Sequence, residues 1–162
     1  MPLELRESDL FADDAIPALA HGCNCTGSMG GGIAVEFRTR WPEMYDAYRV
    51  ECNEGRFRPG SVFVWEAPGK TIFNLGTQPV PGPSARLEYI ETAVREAVRV
   101  AQTKAISVIG LPRIGTGLGG LSWDTVRHVL ESIANKTQVL LAVYELPGET
   151  KEVRPRLTTA VP

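Results

Sequence analysis

The stretch His21-Gly-Cys-Asn-Cys-Thr-Gly-Ser-Met-Gly-Gly-Gly-Ile-Ala34 holds five glycines and leads directly into a segment of apolar periodicity. Because glycine tolerates positive φ and has no Cβ, a backbone rich in it can wrap closely around a ligand. A loop that runs into a helix start also directs several N–H donors at one place. Glycine content alone is equally typical of a flexible surface loop. A strand-like segment before this loop and a second glycine loop, Leu111-Pro-Arg-Ile-Gly-Thr-Gly-Leu-Gly-Gly120, favour phosphate binding.

Length and composition predict one globular domain. The chain has 162 residues, of which 43% are hydrophobic and 22% are charged, so it is long enough to bury a substantial core. Its net charge of −2 gives no reason to expect non-specific affinity for nucleic acid. Recognition of a modified nucleotide stays open, because it needs a pocket rather than a charged surface. We expect the domain to cover residues 1–147 and residues 148–162 to form a flexible tail.

The cysteines and the absence of long apolar runs indicate the cellular location of the protein. Cys23, Cys25 and Cys52 form an odd set in a sequence without a signal peptide, so we expect reduced thiols and a cytoplasmic location. The spacing of Cys23 and Cys25 is too short for the usual zinc pairs, and no metal site is expected. The thiols are interpreted as small buried hydrophobes. No apolar run approaches a membrane span, so no membrane partner is expected.

Alternating strand and helix patterns predict the α/β class. Residues 1–20 have the pattern of one or two strands with an acidic turn at Asp13-Asp14, and residues 16–21 lead into the first glycine loop. Further strand patterns cover residues 61–66, 71–75, 105–109 and 138–144, and Pro68-Gly69 is a hairpin signal between the first two of these. Helical spacing covers residues 33–48 with a break at Pro42, and Ser84 and Ser122 are expected to cap two later helices. This order implies a largely parallel sheet between helical layers. Both glycine loops then emerge at carboxyl ends of strands, where ligands collect, and together they suggest a diphosphate site.

The common phosphate and hydrolase motifs do not occur. Neither glycine loop contains the lysine of a Walker site, and residues 115–120 match a dinucleotide fingerprint only with a shifted last glycine. No G-x-S-x-G sequence is present, and His21 and His128 are the only histidines. We interpret His21, at a strand end, as structural, and His128 as a surface or packing residue.

The loops resemble those of macrodomains. The resemblance is carried by Asn24-Cys-x-Gly-x-Met-Gly-x-Gly-Ile-Ala34 and by Pro112-Arg-Ile-Gly-Thr-Gly-Leu118, which is followed by a tryptophan-bearing helix start. More narrowly, it points to the branch of the terminal ADP-ribose protein glycohydrolase and the DarG antitoxin, which removes ADP-ribose from thymine bases in DNA. It extends over about residues 5–146 and implies a three-layer α/β/α fold with a mixed, largely parallel sheet that binds ADP-ribose without a cofactor.

The resemblance also implies which residues contact ADP-ribose. Asp9 would accept a hydrogen bond from the adenine amino group, whereas the residue alone favours a turn or cap carboxylate. Residues 29–34 would wrap the distal ribose and a phosphate, and residues 114–118 would supply N–H groups to the diphosphate. Tyr144 would lie near the adenine, with core filling as an equal alternative. The full implied set is Asp9, Leu10, Met29, Gly30, Gly31, Gly32, Ile33, Ala34, Pro112, Ile114, Gly115, Thr116, Gly117, Leu118 and Tyr144.

Two positions depart from the pattern of that branch. Its members use a lysine after the 71–75 strand, and the human-type glycohydrolase adds an aspartate in the second glycine loop; these positions hold Gln78 and Gly119 here. Neither residue can attack an anomeric carbon or remove a proton, so a covalent lysine intermediate is excluded. We expect the ligand's own diphosphate to hold the attacking water, with Asn24 and Gln78 as catalytic residues that orient this water or the ribose hydroxyls.

The sequence therefore predicts a monomeric hydrolase that removes mono-ADP-ribose from a macromolecule, either a thymine-linked DNA adduct or a glutamate ester on a protein. The alternative is a non-catalytic reader of ADP-ribose, which the loss of both catalytic groups would suit. A third is an enzyme for a small metabolite such as O-acetyl-ADP-ribose. Asn24 favours the enzyme, because the DarG-type motif has asparagine at this position. A basic strip of Arg38, Arg40, Arg56 and Arg58 is able to contact a nucleic-acid backbone, although such charges are more often simply solvated.

Overall fold

Six strands form one mixed sheet in the computed structural model, which describes residues 1–146. In chain order they are β1 (Glu4–Glu7), β2 (Ala18–Cys23), β3 (Val62–Ala67), β4 (Lys70–Gly76), β5 (Val108–Leu111) and β6 (Leu140–Glu145). The spatial order is β1-β6-β5-β2-β4-β3. All neighbouring pairs are parallel except β3 and β4, which form the predicted hairpin. The α/β class and the largely parallel sheet are confirmed, and the predicted tail at 148–162 lies outside the described residues.

Helices cover both faces of this sheet. They are α1 (Ala34–Arg40), α2 (Pro42–Asn53), α3 (Leu87–Thr103) and α4 (Trp123–Ala134), with short 3₁₀ turns at Leu10–Ala12 and Gly117–Gly119. The stripe of Ile90, Val94 and Ala97 packs α3 with α4 against one face. Phe37, Met44 and Tyr48 pack α1 and α2 against the other. Each large side chain buried in this way contributes about 1.5–3 kcal/mol, which accounts for the three-layer arrangement.

His21 belongs to the core beneath α1. Its ring is fully buried and stacks on Phe37 with 3.7 Å between centroids. Asn74 donates from Nδ2 to the Phe63 carbonyl, so its Oδ1 accepts from His21 Nε2 at 2.7 Å. Burial lowers the pKa of His21 to about 4, so the ring is neutral at pH 7. The prediction of a structural His21 is confirmed.

Helix boundaries correct two predictions. Ser84 is not a cap, because α3 begins at Leu87 and Ser84 Oγ donates instead to the Val80 carbonyl at 2.6 Å. Ser122 does cap α4, since its Oγ accepts from the Thr125 N–H at 3.3 Å. Pro42 starts α2 as predicted, and this helix continues to Asn53, beyond the expected end at residue 48. A serine caps a helix only when it lies directly before the first helical residue, and in α3 that position is held by Arg86 rather than Ser84.

The remaining predictions of burial have mixed outcomes. Cys23 is buried, but Cys25 and Cys52 are half-buried, so the interpretation of all three thiols as buried hydrophobes is wrong for two of them. His128 is exposed on α4, as expected. Among the described helices, none is long and apolar enough to cross a membrane.

Three neighbouring strands deliver three loops to one edge of the sheet. Strand β2 lies between β5 and β4 and runs parallel to both. We call residues 24–33 after β2 the first loop, residues 112–122 after β5 the second loop, and residues 77–86 after β4 the third loop. The prediction that both glycine loops emerge at the same edge is confirmed, and the third loop brings Gln78 to it.

Candidate functional site

Asn24 organises the turn that opens the first loop. Its Oδ1 accepts from the backbone N–H groups of Thr26 at 3.1 Å and Ser28 at 3.3 Å. Its Nδ2 donates to the Ser28 carbonyl at 2.8 Å. The side chain that the sequence suggests for catalysis therefore also fixes the backbone on which the glycines follow, and it is half-buried rather than freely exposed.

Tyr48 holds this turn from below, and sequence reasoning missed it. The side chain is fully buried on α2, and its hydroxyl donates to the Asn24 carbonyl at 2.6 Å. Burial is the main reason why the pKa of Tyr48 lies well above its usual range, so the hydroxyl keeps its proton. The available signal was chemical, since a tyrosine on the apolar side of a helix must find a partner for its hydroxyl.

The first loop presents a continuous run of backbone donors. Among the described residues, no protein oxygen accepts from the N–H groups of residues 30–34, which lead into α1. The side chain of Met29 is 1% exposed and anchors the start of this run in the core. Gly32 has φ of +60°, a conformation that favours glycine. These free donors at the amino end of a helix suit an anion such as a phosphate.

The second loop offers fewer free donors than the sequence suggests. Ile114 N–H donates to the Pro112 carbonyl at 2.8 Å, and Thr116 N–H to the Arg113 carbonyl at 3.4 Å. Within residues 1–146, the N–H groups of Gly115, Gly117 and Leu118 have no protein acceptor. Ile114 is buried, and Thr116 Oγ1 donates back to the Arg113 carbonyl at 2.7 Å. The N–H groups of Gly115, Gly117 and Leu118 are thus the ones left for a ligand.

The first and second loops touch each other at Leu118. This side chain is 63% exposed, yet a Cβ built on Gly31 would lie 2.9 Å from its Cδ1, and one on Gly32 would lie 3.5 Å away. The absence of a side chain at Gly31 therefore lets the loops approach closely. Both loops carry unpaired N–H groups. Their contact therefore brings two sets of hydrogen-bond donors together at the carboxyl ends of β2 and β5.

Gln78 and Gly119 come together although they lie 41 positions apart in the sequence. Gln78 Nε2 donates to the carbonyls of Val80 and Gly82, both at 2.7 Å, and so closes the third loop on itself. Its Oε1 lies 3.3 Å from the place of a Cβ on Gly119, and Ala85 Cβ lies 3.0 Å from it. The two departures from the expected motif are thus direct neighbours, and the glutamine amide fills space that a longer residue at Gly119 would need.

Backbone hydrogen bonds join the third loop to the first. Thr77 N–H donates to the Cys23 carbonyl at 3.1 Å, and Cys25 N–H donates to the Pro79 carbonyl at 3.2 Å. The structure therefore brings the predicted pair, Asn24 and Gln78, to adjacent loops at one sheet edge.

The opposite end of the edge holds Asp9, Leu10 and Tyr144. Asp9 is exposed, and its Oδ1 accepts from Phe11 N–H at 3.0 Å, while Leu10 is buried. The Tyr144 ring lies in the core with Leu10, and its hydroxyl donates to Asp13 Oδ2 at 2.8 Å and accepts from Arg6. The hydrogen bond that Tyr144 donates is the main reason why the pKa of Asp13 is lowered. Packing thus accounts for Tyr144, whereas the carboxylate of Asp9 faces solvent.

The chain is similar to known proteins over most of its length. The profile described as "Macro domain" matches residues 20–130. The chain belongs to the Macro domain family. An uncharacterised 17.5 kDa protein of Enterobacteria phage T4 is 31% identical, over 78% of this chain and 86% of the phage protein.

Two further relatives are similar over most of this chain. The solved macrodomain of Mycobacterium tuberculosis DarG has a TM-score of 0.79 and 32% identity, covering 90% of this Macro domain chain and 99% of that one. A protein of Thermus aquaticus named DNA ADP-ribosyl glycohydrolase is 32% identical over 90% of this chain. The chain spans only 44% of the length of that relative.

The Macro domain site is built to bind rather than to transfer protons. Neither glycine stretch, 22–34 nor 111–121, contains an Asp or Glu. Its polar groups are backbone N–H donors together with the amides of Asn24 and Gln78. Such a set can fix a diphosphate and a ribose, and it can orient a water, but it offers no general base of its own.

Proposed function

We propose that this Macro domain protein is an ADP-ribosyl hydrolase that removes mono-ADP-ribose from a macromolecule. The observation that carries the proposal is the run of unpaired N–H donors at residues 30–34, on the loop that contacts the second loop, where the N–H groups of Gly115, Gly117 and Leu118 are also unpaired. A diphosphate satisfies such donors without a lysine. The names of the relatives, a DNA ADP-ribosyl glycohydrolase and a DarG macrodomain, support ADP-ribose as the ligand.

The proposed orientation follows the order of the loops along the sheet edge. The adenine lies toward Asp9, whose exposed carboxylate accepts from the exocyclic amine. The diphosphate lies between the first and second loops and accepts from their unpaired N–H groups. The distal ribose then lies toward Asn24 and Gln78, and the macromolecule is attached to this ribose at its anomeric carbon.

The proposed chemistry is attack of water on that carbon, assisted by the substrate. As the bond to the leaving group breaks, the ribose takes on oxocarbenium character. The negatively charged diphosphate, held by the N–H donors, stabilises this charge and positions the water that attacks. The water oxygen bonds to the anomeric carbon, its proton passes to the phosphate or to the departing group, and free ADP-ribose results. This route needs a good leaving group, such as a carboxylate or a thymine ring nitrogen.

Asn24 and Gln78 act in this scheme through loop geometry as well as through direct contact. Asn24 Oδ1 already accepts backbone N–H groups, so its remaining capacity for substrate is the second proton of Nδ2. The Nε2 group of Gln78 has no such free proton, because it donates to the carbonyls of Val80 and Gly82 in the third loop. Its Oε1, toward Gly119, is the acceptor that could orient a water.

A non-catalytic reader of ADP-ribose is the second candidate. It is favoured by the same Gln78 amide, whose commitment to the Val80 and Gly82 carbonyls suits a structural role. In a reader, the donors of the first and second loops would hold ADP-ribose tightly and no group would activate water.

The deciding experiment measures release of free ADP-ribose from a thymine-linked oligonucleotide and from a glutamate-modified protein. Isothermal titration with ADP-ribose runs beside it. Turnover of either substrate establishes the hydrolase and names the linkage, and turnover must fall in the Asn24→Ala and Gln78→Ala variants. Tight binding without release from either substrate identifies a reader instead. Absence of ADP-ribose binding would contradict both.

A further inference from the structure

Arginines without a counter-ion gather beside the first loop. Within residues 1–146, a carboxylate oxygen lies within 4.0 Å of most arginine side chains, namely Arg6, Arg40, Arg56, Arg86, Arg95, Arg99, Arg113 and Arg127. The exceptions in this range are Arg38, Arg49 and Arg58. All three belong to α1, α2 or the segment that follows α2. Glu43, Asp46 and Glu54 lie in the same segments, so this region is distinguished not by its net charge but by guanidinium groups that have no carboxylate of the described residues within 4.0 Å.

Two of these arginines share one aromatic ring. The Cζ atoms of Arg38 and Arg49 lie 5.5 Å and 5.7 Å from the centroid of Tyr45. Although Asp46 precedes Arg49 by about one turn of α2, no ion pair joins them in the described structure. A cation is attracted to the face of an aromatic ring, which holds the guanidinium groups in place while their N–H donors stay available.

Tyr45 fixes this pair against the first loop. Its hydroxyl donates to the Gly27 carbonyl at 3.4 Å. The stem of Arg49 also packs on Gly27, since a Cβ built there would lie 3.6 Å from Arg49 Cγ. The guanidinium groups of Arg38 and Arg49 therefore lie beside the loop that the proposed function assigns to the distal ribose, which is the part of ADP-ribose attached to the macromolecule.

We infer that Arg38, Tyr45 and Arg49 bind the sugar-phosphate backbone of a nucleic-acid strand beside the ADP-ribosylated nucleotide. The inference rests on the proposed function for the position of the modified nucleotide. A guanidinium fork matches phosphate oxygens, and arginine interleaved with an aromatic ring is typical of single-strand binding surfaces. An acidic protein would need carboxylates at matching places, whereas a strand supplies a phosphate at every nucleotide.

The test uses a fluorescent single-stranded oligonucleotide without ADP-ribose, the whole protein, and anisotropy at several salt concentrations. The R38Q/R49Q variant should bind roughly tenfold more weakly at low salt. The slope of log Kd against log salt should become shallower by about two. The matched control is R95Q/R99Q, which removes the same charge from α3 on the opposite face of the sheet and should bind like the wild type. Equal binding by the two double variants would overturn the inference.

A second readout separates this inference from the proposed function. With the thymine-linked oligonucleotide, R38Q/R49Q should raise KM by a similar factor and leave kcat and the Kd of free ADP-ribose unchanged. If the wild type releases no ADP-ribose but the oligonucleotide binding still depends on Arg38 and Arg49, only the proposed function fails. If release proceeds with unchanged KM and binding, only the inference fails. A raised KM for the modified protein alone would identify an acidic protein partner and overturn it as well.

Discussion

Gln78 occupies the space in front of Gly119. The glutamine Oε1 lies 3.3 Å from the place of a Cβ on Gly119, and the same side chain donates twice to carbonyls of its own loop. A lysine at position 78 could not accept a hydrogen bond from a water here. The Cβ of an aspartate at position 119 would lie only 3.0 Å from Ala85 Cβ. The two positions form one unit, in which an amide and an unsubstituted backbone replace an ionisable pair.

Gln78→Ala is expected to lower turnover more than affinity. It removes the two hydrogen bonds that close the third loop and the acceptor toward Gly119, so release of ADP-ribose should fall roughly tenfold or more. The Kd of free ADP-ribose should change little, because its N–H donors lie on the other loops. Ser84→Ala is the matched control, since it removes the two hydrogen bonds between Ser84 Oγ and Val80 in the same loop without touching Gly119. Similar losses in both variants would indicate a purely structural Gln78.

Tyr48→Phe is expected to destabilise the fold and the first loop together. The change leaves the Asn24 carbonyl without its 2.6 Å donor, at a cost of about 1–3 kcal/mol. Urea unfolding should show this loss, and calorimetry should show weaker binding of ADP-ribose. Tyr45→Phe removes only a 3.4 Å hydrogen bond to Gly27 and should have a clearly smaller effect on unfolding. Equal effects would contradict the role of Tyr48 as the support of the Asn24 turn.

Acid is expected to weaken the fold through His21. Its folded pKa is about 4 and its ordinary value is 6.5, so the unfolded chain binds the proton first as the pH falls. The stabilisation is fully present above the ordinary pKa and is lost as the pH falls toward 4. Between pH 7 and pH 5 the free energy of unfolding should drop by about 2 kcal/mol.

The control for this pH dependence is His21→Asn, which cannot titrate. This variant should be less stable than the wild type at pH 7, because the stack on Phe37 is lost. Its free energy of unfolding should nevertheless change far less between pH 7 and pH 5. An equally steep loss in the variant would assign the pH dependence to other groups.

The sequence predicted those parts of the site that depend on local backbone chemistry. The strand patterns and the Pro68-Gly69 hairpin depend on residues close together in the chain, and the structure confirms these elements, although β5 begins at Val108 rather than at residue 105. The hydrogen bond from Tyr48 to Asn24 depends on how α2 crosses the first loop, and no local pattern encodes that. The same limit applies to Ser84, which has a capping side chain but bonds to Val80, because the third loop closes before α3 begins. The free donors of the second loop also depend on turns that use up the N–H groups of Ile114 and Thr116.

Gly31 and Gly32 should respond differently to alanine, although they are adjacent. Gly32 has φ of +60°, where a Cβ costs about 1–2 kcal/mol, and its N–H belongs to the donor run. Gly32→Ala should therefore lower both stability and affinity for ADP-ribose. A Cβ at Gly31 meets only the terminal Cδ1 of Leu118, which is 63% exposed and can rotate away. Gly31→Ala should thus keep the stability of the wild type, and any loss of affinity should be recovered by adding Leu118→Ala. Thermal unfolding and calorimetry measure both, and a Gly31→Ala protein as unstable as Gly32→Ala would show that the contact between the two loops is rigid.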